Sequence, residues 1–404
     1  APGKVILFGE HAVVYGATAI AAAVSDLRIF VDLEIFSGDY LYVIFEDILV
    51  DGKIFEYQLP INVLKQITSC FNKNSALSPV RPDDSVSNYL STFLSTAPPQ
   101  AAQGLQSVIY LTTQILPDLI DKQTDVVYGI KFVVRSVGLP IGAGLGSSAA
   151  FSVALAGALI RAALLNNQLD DQLENQLDIT NYLSVINEWS YCSEMLIHGK
   201  PSGIDNYTSC YGGLVKYVKS DNRFELIDKS KLPQIDILLI NTKVPRSTKQ
   251  LVSNVRELSN RLPRVVEQIV SAIDAISIQF IELIDKQVDI QTFYNQMKEL
   301  ITINHRLLQS LGVSHPSLER SIYLSESLHL ASKLTGAGGG GCAITLLDIG
   351  DRAIDRTIDD QIVKEGDRQI NELKEKLVEL LRLESFDSFE SSIGGAGIIW
   401  YNTN

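Results

Sequence analysis

The segment that most constrains this chain is Pro140-Ile-Gly-Ala-Gly-Leu-Gly-Ser-Ser-Ala-Ala150, which opens into Ala149–Leu165, 17 residues whose only charge is Arg161. Glycines alternating at 142, 144 and 146 let the backbone turn tightly and bring its N–H groups close to a ligand. Ser147 and Ser148 then fall at the start of the apolar run, where unpaired N–H donors and the helix dipole favour an anion. Such a loop suits a phosphate, and its hydroxyls can also reach a bound Mg2+. It is not a Walker A loop, because no Gly-Lys-[Ser/Thr] follows. The third glycine of a dinucleotide-binding turn is also missing from its offset. A bilayer-spanning helix needs about 20 mostly apolar residues. A shorter run leaving a glycine loop is expected to be a buried core helix.

Thr335-Gly-Ala-Gly-Gly-Gly-Gly-Cys342 is a second loop of this kind, with five glycines. Each glycine costs about 0.5–1 kcal/mol relative to alanine in regular structure. Five together argue for a backbone that must approach something closely, the alternative being a hinge. The opening, Ala1-Pro-Gly-Lys-Val-Ile-Leu-Phe-Gly-Glu-His-Ala12, sets Lys4, Glu10 and His11 around a short apolar strand. Glu188 to Asn206 reads EWSYCSEMLIHGKPSGIDN, with Glu194 on a predicted helix and Asp205 beyond a Pro-Ser-Gly turn. Alone, Asp205 reads as a helix cap, the commoner fate of such a residue. Phosphoryl transfer needs a metal ligand, a cation and a carboxylate that orients or deprotonates a hydroxyl. Glu194, Lys4 and Asp205 are residues of those types, but spacing does not bring them together.

Composition narrows the partners. The 404 residues carry 34 Lys+Arg against 47 Asp+Glu, a formal net charge of −13. Nucleic-acid binding and electrostatic membrane anchoring both need a basic surface, so neither is expected. A single nucleotide is not excluded, since backbone amides and a metal can hold phosphate without net positive charge. The four cysteines include no Cys-x-x-Cys pair, and the five histidines form no His-Glu-x-x-His, so neither a disulfide scaffold nor a protein-built zinc site is indicated. Ala12–Val24 is apolar, but Lys4, Glu10 and His11 precede it and no basic leader does. A soluble, cytoplasmic protein is expected.

Arg28–Phe36 and Tyr40–Phe45 alternate as strands within a strand-rich first 65 residues. Asn72–Gln100, rich in Pro, Ser, Asn and Asp, reads as a surface excursion around short helical pieces. Gly104–Leu116 is a predicted helix closed by Pro117, Val126–Val134 a strand, Leu183–His198 a helix, and Gly213–Val218 a strand. Beyond residue 233 come a strand at Ile235–Asn241, a helical run at Lys249–Ile284 split by Pro263, a helix at Ile290–Leu311 and a strand at Ala343–Leu347. Asp351–Lys376 holds 14 charged residues in 26, as a solvated helix would. Strands and helices mix without βαβ regularity. The expectation is an α+β protein of two domains, 1–233 and 234–404, with the extreme C-terminal tail packing back on the first.

Five segments in order resemble the GHMP small-molecule kinases: Ala1–Gly16 the first motif, Leu139–Ala150 the second, Lys333–Cys342 the third, and His198–Asn206 and Asn241–Thr248 two stretches typical of the branch that phosphorylates mevalonate. The resemblance implies the two-domain GHMP fold, with ATP and substrate in the cleft between domains. It implies that Gly142, Ala143, Gly144, Leu145, Gly146, Ser147 and Ser148 cradle the ATP phosphates. It also implies that Glu194 and one serine of the 147/148 pair hold Mg2+, and that Asp205 is the base on the C5 hydroxyl of mevalonate. Lys4 would lower that hydroxyl's pKa and stabilise transition-state charge. Glu10, His11 and Ala337 would line the mevalonate pocket, and Arg246 would meet mevalonate or the transferred phosphate. The implied product is 5-phosphomevalonate, on the route to isoprenoids and sterols. A cytosolic homodimer, inhibited by prenyl diphosphates at the ATP site, is the implied assembly. The chain begins inside the first motif without an initiator Met, so a short preceding piece is expected. A galactokinase would show an Asp shortly after the His of the first motif; here Ala12, Val13 and Val14 follow. No adenine-contacting residue is assigned in Asn72–Gln100.

Overall fold

The computed structural model describes residues 1–71, 75–121, 127–167, 177–218, 223–347 and 360–401. The chain opens with β1 (Pro2–Phe8), a 3-10 turn at Ala12–Tyr15, β2 (Thr18–Ser37), β3 (Tyr40–Val50) and β4 (Lys53–Pro60). Then follow α1 (Ile61–Ser69), α2 (Asp84–Phe93), α3 (Pro99–Ile115), α4 (Pro117–Ile120), β5 (Tyr128–Val137), α5 (Ser147–Asn167), α6 (Leu183–His198), α7 (Ile204–Tyr211), β6 (Leu214–Val218) and β7 (Arg223–Ile227). The remainder is β8 (Ile235–Asn241), α8 (Thr248–Arg261), α9 (Pro263–Asp285), α10 (Ile290–Ser310), α11 (Pro316–Glu326), β9 (Ser332–Leu334), β10 (Cys342–Leu347), α12 (Asp360–Leu383) and β11 (Asp387–Ile393).

One long strand organises the sheet. The first part of β2 pairs with β1 and β6, and its Arg28–Ser37 part pairs with β5. Val24, between them, meets Ile393 of β11, which runs along β8. Hydrogen bonding therefore continues in the order β4-β3-β5-β2-β11-β8-β10-β9. Among the described residues only β3 and β5 pair in parallel. The change of character near residue 233 falls between a 3-10 turn at Lys229–Lys231 and β8. One apolar cluster includes Ile20 of β2, Ile237 of β8 and Phe280 of α9, and a second gathers mostly residues between Leu238 and Leu381.

Helix α5 is long and apolar enough to cross a membrane by length and composition. It packs inside the protein against β2, α3, α6 and α7, with Leu155, Leu159 and Ile160 fully buried. The apolar run at Ala12–Val24 ends as buried strand, since Ile20–Val24 have no exposed surface.

Several boundaries differ from the sequence reading. Helix α3 starts at Pro99, five residues before Gly104, because a proline at the first helical position loses no intrahelical bond. Strand β5 runs on to Val137, held by its register with Arg28. The solvated helix begins at Asp360; the earlier part of Asp351–Lys376, like Asn72–Asn74 and Val126, lies outside the described residues. Strand β11 has a serine-rich sequence that announces no strand, and its partner β8 makes it one. Beyond it the tail crosses α5: the Trp400 indole donates to Gly157 O (2.9 Å), Arg161 donates to Tyr401 O (2.9 Å), and the Tyr401 hydroxyl meets Asp32.

Helix α10 carries a buried titratable group. The His305 side chain is 1% exposed, 3.2 Å from Glu319 of α11. Burial, opposed by Glu319 and reinforced by Lys333 and Arg306, brings its pKa down to about 4. The unfolded chain binds a proton below about pH 6.5 that the folded chain refuses until about pH 4, so folded stability is lost as pH drops through that window and rises again with pH. The full shift corresponds to about 3 kcal/mol. We expect His305→Gln to flatten the pH dependence of urea unfolding between pH 6.5 and 4.5; an unchanged slope would remove His305 as its cause.

Candidate active site

The site is assembled on β1, all seven residues of which are buried. Lys4 N–H donates to Leu145 O of the first glycine loop (2.8 Å). One residue further along the same side, Ile6 N–H donates to the Thr335 hydroxyl (3.0 Å), which donates back to Ile6 O (2.9 Å). Ser209 of α7 donates to Pro2 O (2.7 Å). Three segments far apart in sequence thus grip one strand.

The Lys4 side chain runs beneath the glycine loop, where a Cβ on Gly146 would lie 3.0 Å from its Cγ. Its Nζ ends 3.0 Å from Asp205 Oδ1. Asp205 stands in the first turn of α7, entered through Gly203 at φ 81°, and a helix N-terminus favours a carboxylate.

Glu194, on α6, is 3% exposed. Burial, then the charge of Asp205, push its carboxyl up to about 7, against hydrogen bonds from Ser152 and Ser148. Ser148 donates to Oε2 (3.3 Å) and Ser152 to Oε1 (3.2 Å), while Ser193 lies 2.7 Å from Ser152. His198 Nε2 is 3.1 Å from the Ser148 hydroxyl. The two adjacent serines part company here: Ser147 Oγ accepts from Gly142 N–H (3.4 Å) and closes the loop on itself.

The first and third motifs meet through His11 and Ala337. His11 takes up a left-handed φ of 56° and its Nε2–H donates to Ala337 O (2.7 Å). Burial lowers its pKa, and this hydrogen bond partly offsets the shift. Glu10 borders the cavity, but its carboxylate is committed to Lys333 and Asn304 and has no exposed surface. Arg246, in the connection from β8 to α8, lies between the two glycine loops. A Cβ on Gly144 or Gly341 would collide with its guanidinium, and Nη1 donates to Gly340 O (3.5 Å).

These groups open on a cavity of about 1070 Å3 bordered by Lys4, Glu10, His11, Ser147, Ser148, Asp205, Arg246 and Ala337. Glu194 sits just behind it, under Ser148. Phe45, Ile48, Val134 and Phe151 provide one apolar wall; Ile6, Ala19, Ile204 and Tyr217, packed as a separate cluster, provide another. Sequence reasoning did not single out either wall, nor Ser152, Asn304 or Lys333. The walls and Ser152 leave no trace in sequence spacing, whereas Lys333 opens a recognised motif and could have been questioned there.

A phosphate-adapted loop, a Lys–carboxylate pair and a buried carboxylate facing the loop serine define a small-molecule kinase. The family model for the GHMP kinases N terminal domain matches residues 111–213, and that for the GHMP kinases C terminal matches 288–357. Mevalonate kinase of Saccharomyces cerevisiae is 36% identical across 98% of this chain and 87% of its own length. That of Candida albicans is 34% identical across 98% and 88%. The solved structure of L. major mevalonate kinase in complex with R-mevalonate shares the fold, at a TM-score of 0.65 and 21% identity over 98% of this chain and 95% of that one. The chain belongs to the mevalonate kinase family of the GHMP kinases.

The packing of Lys4 under the loop makes a prediction. Gly146 has φ 74°, and a Cβ there would press on the Lys4 side chain, 3.0 Å from its Cγ. Gly146→Ala is expected to cost about 1–2 kcal/mol in urea unfolding through backbone strain, and to lower turnover further by displacing Lys4. Native stability and rate in that variant would contradict the packing.

Proposed function

We propose that this chain transfers the γ-phosphoryl group of ATP to the C5 hydroxyl of (R)-mevalonate, giving 5-phosphomevalonate and ADP in isoprenoid and sterol synthesis. The observation that carries the reading is the Lys4–Asp205 pair, 3.0 Å apart at the border of a cavity shared with a phosphate-adapted loop. Full-length similarity to mevalonate kinases supports the choice of acceptor.

Asp205 accepts the C5 hydroxyl proton. The C5 oxygen bonds to the γ-phosphorus, and the bridging oxygen leaves with ADP. Lys4 opposes the negative charge that gathers on the attacking oxygen. Left-handed turns at Gly142, Gly144 and Gly146 let the loop backbone approach the phosphates closely, and the apolar walls exclude water from the reacting atoms. His11 and Ala337 close the acceptor side, and Arg246 supplies a fixed positive charge between the loops.

Glu194 and Ser148 fit a magnesium ion. Glu194 is a buried carboxylate that, among the described residues, has no Lys or Arg in ion-pair contact and accepts from the Ser148 and Ser152 hydroxyls, with the His198 ring 3.6 Å away. Among the described residues no cluster of three His, Cys, Asp or Glu forms a complete cage. That matches Mg2+, which commonly takes one or two carboxylates and completes its shell with phosphate oxygens and water. Bound there, it would neutralise phosphate charge. On the family likeness the reading extends to a cytosolic homodimer whose nucleotide site is open to prenyl diphosphates. Light scattering and competition against ATP test the last two features.

ADP release measured with mevalonate, phosphomevalonate, galactose and homoserine tests the acceptor, and turnover with another acceptor but not mevalonate would sink the reading. Asp205→Asn is expected to reduce kcat roughly 10²–10⁴-fold with nucleotide still bound; near-native kcat would return Asp205 to a capping role. Glu194→Gln is expected to raise the Mg2+ concentration for half-maximal rate by about tenfold or more, and an unchanged Mg2+ titration would exclude Glu194 as a ligand.

A further inference from the structure

Among the described residues Lys333 is the largest charged side chain with no exposed surface, and the reaction described above does not use it. Its side chain and that of Glu10 both have no exposed surface, and they form an ion pair. Lys333 Nζ also donates to Leu334 O (2.8 Å), and the second Glu10 oxygen accepts from Asn304 Nδ2 of α10 (3.1 Å). The ammonium lies 6.0 Å over the ring of Phe8, which is itself fully buried against Phe280. Glu10 of the first motif thus meets Asn304 and Lys333, about three hundred positions later in the chain, in one buried charge pair.

Burying both charges gains little stability over an apolar pair of the same volume, because desolvation offsets the attraction. Direction is what an ion pair adds and apolar contact lacks. The direction matters because of what Glu10 is attached to. On one side is Gly9, at φ 93°, where a Cβ would lie 2.4 Å from Thr18 O. On the other is His11, held at φ 56° with its ring on Ala337 O. Ala337 in turn follows Lys333 by four residues, so the ion pair and the His11–Ala337 hydrogen bond are two rungs joining the same two segments. Lys333 does not border the cavity, whereas Glu10, His11, Gly336 and Ala337 do.

We propose that Lys333 is a positioning residue, which through Glu10 sets the spacing between the Gly9–His11 turn and the Gly336–Ala337 turn and so shapes the acceptor side of the cavity. The proposal rests on the reading of that side as the mevalonate site. It assigns Lys333 no contact with substrate and no part in proton transfer. Its action falls on the acceptor, because the first glycine loop, Ser148 and Glu194 hang from α5 and α6 and make no bond to it.

The test compares Lys333→Met, Glu10→Gln and the double variant by thermal unfolding, by calorimetric binding of mevalonate without nucleotide, and by KM for each substrate. Lys333→Met is expected to weaken mevalonate binding and raise its KM by about tenfold or more, leaving the nucleotide KM within about twofold. It should also lower Tm, because Glu10 is left buried and unpaired. In the double variant both charges are gone, and Tm should recover while mevalonate affinity stays low. Recovery of both together would overturn the proposal, making the pair a core contact only, as would an equal rise in both KM values. If Lys333→Met does not fold, Lys333→Arg, which keeps the charge but displaces it, must show the same split between acceptor and nucleotide; unchanged acceptor affinity in that variant overturns the proposal. Failure of the wild-type protein to bind mevalonate is a separate result that removes the acceptor reading. The same contrast is then measured on whichever acceptor is turned over.

Discussion

The site depends on the backbone of β1 being held in register from several sides at once. β2 pairs along it, Leu145 of the first glycine loop accepts from Lys4 N–H, Thr335 bridges both polar groups of Ile6, and Ser209 reaches Pro2. A buried strand cannot leave these groups unpaired without cost. The two glycine loops and α7 are therefore tied to the same strand by bonds that also satisfy its buried backbone.

Charge follows the same economy. The chain is acidic overall, yet the cavity collects Lys4 and Arg246 around an anion-binding loop. Three of the negative groups near it are differently treated: Asp205 is paired with Lys4, Glu10 with Lys333, and Glu194, among the described residues, with two serine hydroxyls and the nearby His198. Burial and the neighbouring Asp205 push the Glu194 carboxyl up to about 7. Three carboxylates thus have three electrostatic settings within one cleft.

Local chemistry made much of the fold legible. Helix α6 occupies Leu183–His198 and β8 occupies Ile235–Asn241, as periodicity and apolar runs indicate, and Pro263 starts α9 because it cannot continue α8. Elements that owe their conformation to a partner were hidden. The serine-rich β11 is a strand because β8 lies beside it, and α3 extends back to Pro99 where the sequence looks like turn. The site divides in the same way. The glycines and paired serines mark an anion loop by their own conformational needs, but Ser147 and Ser148 look alike until α6 brings Glu194 to only one of them.

The sequence by itself determined the two glycine loops, the apolar helix behind the first, the types of charged residue available and the order of the family's motifs. All of these depend on neighbours within a turn or two of chain. Only the tertiary structure decided that Lys4 meets Asp205, that Ser152 and Ser148 share Glu194, that His11 reaches Ala337, and that Glu10 is occupied by Lys333 rather than open to the cavity. Those pairings join residues from about 40 to more than 300 positions apart. No local propensity encodes such a contact; it exists because the pairing of β1, β2, β11 and β8 closes the chain on itself.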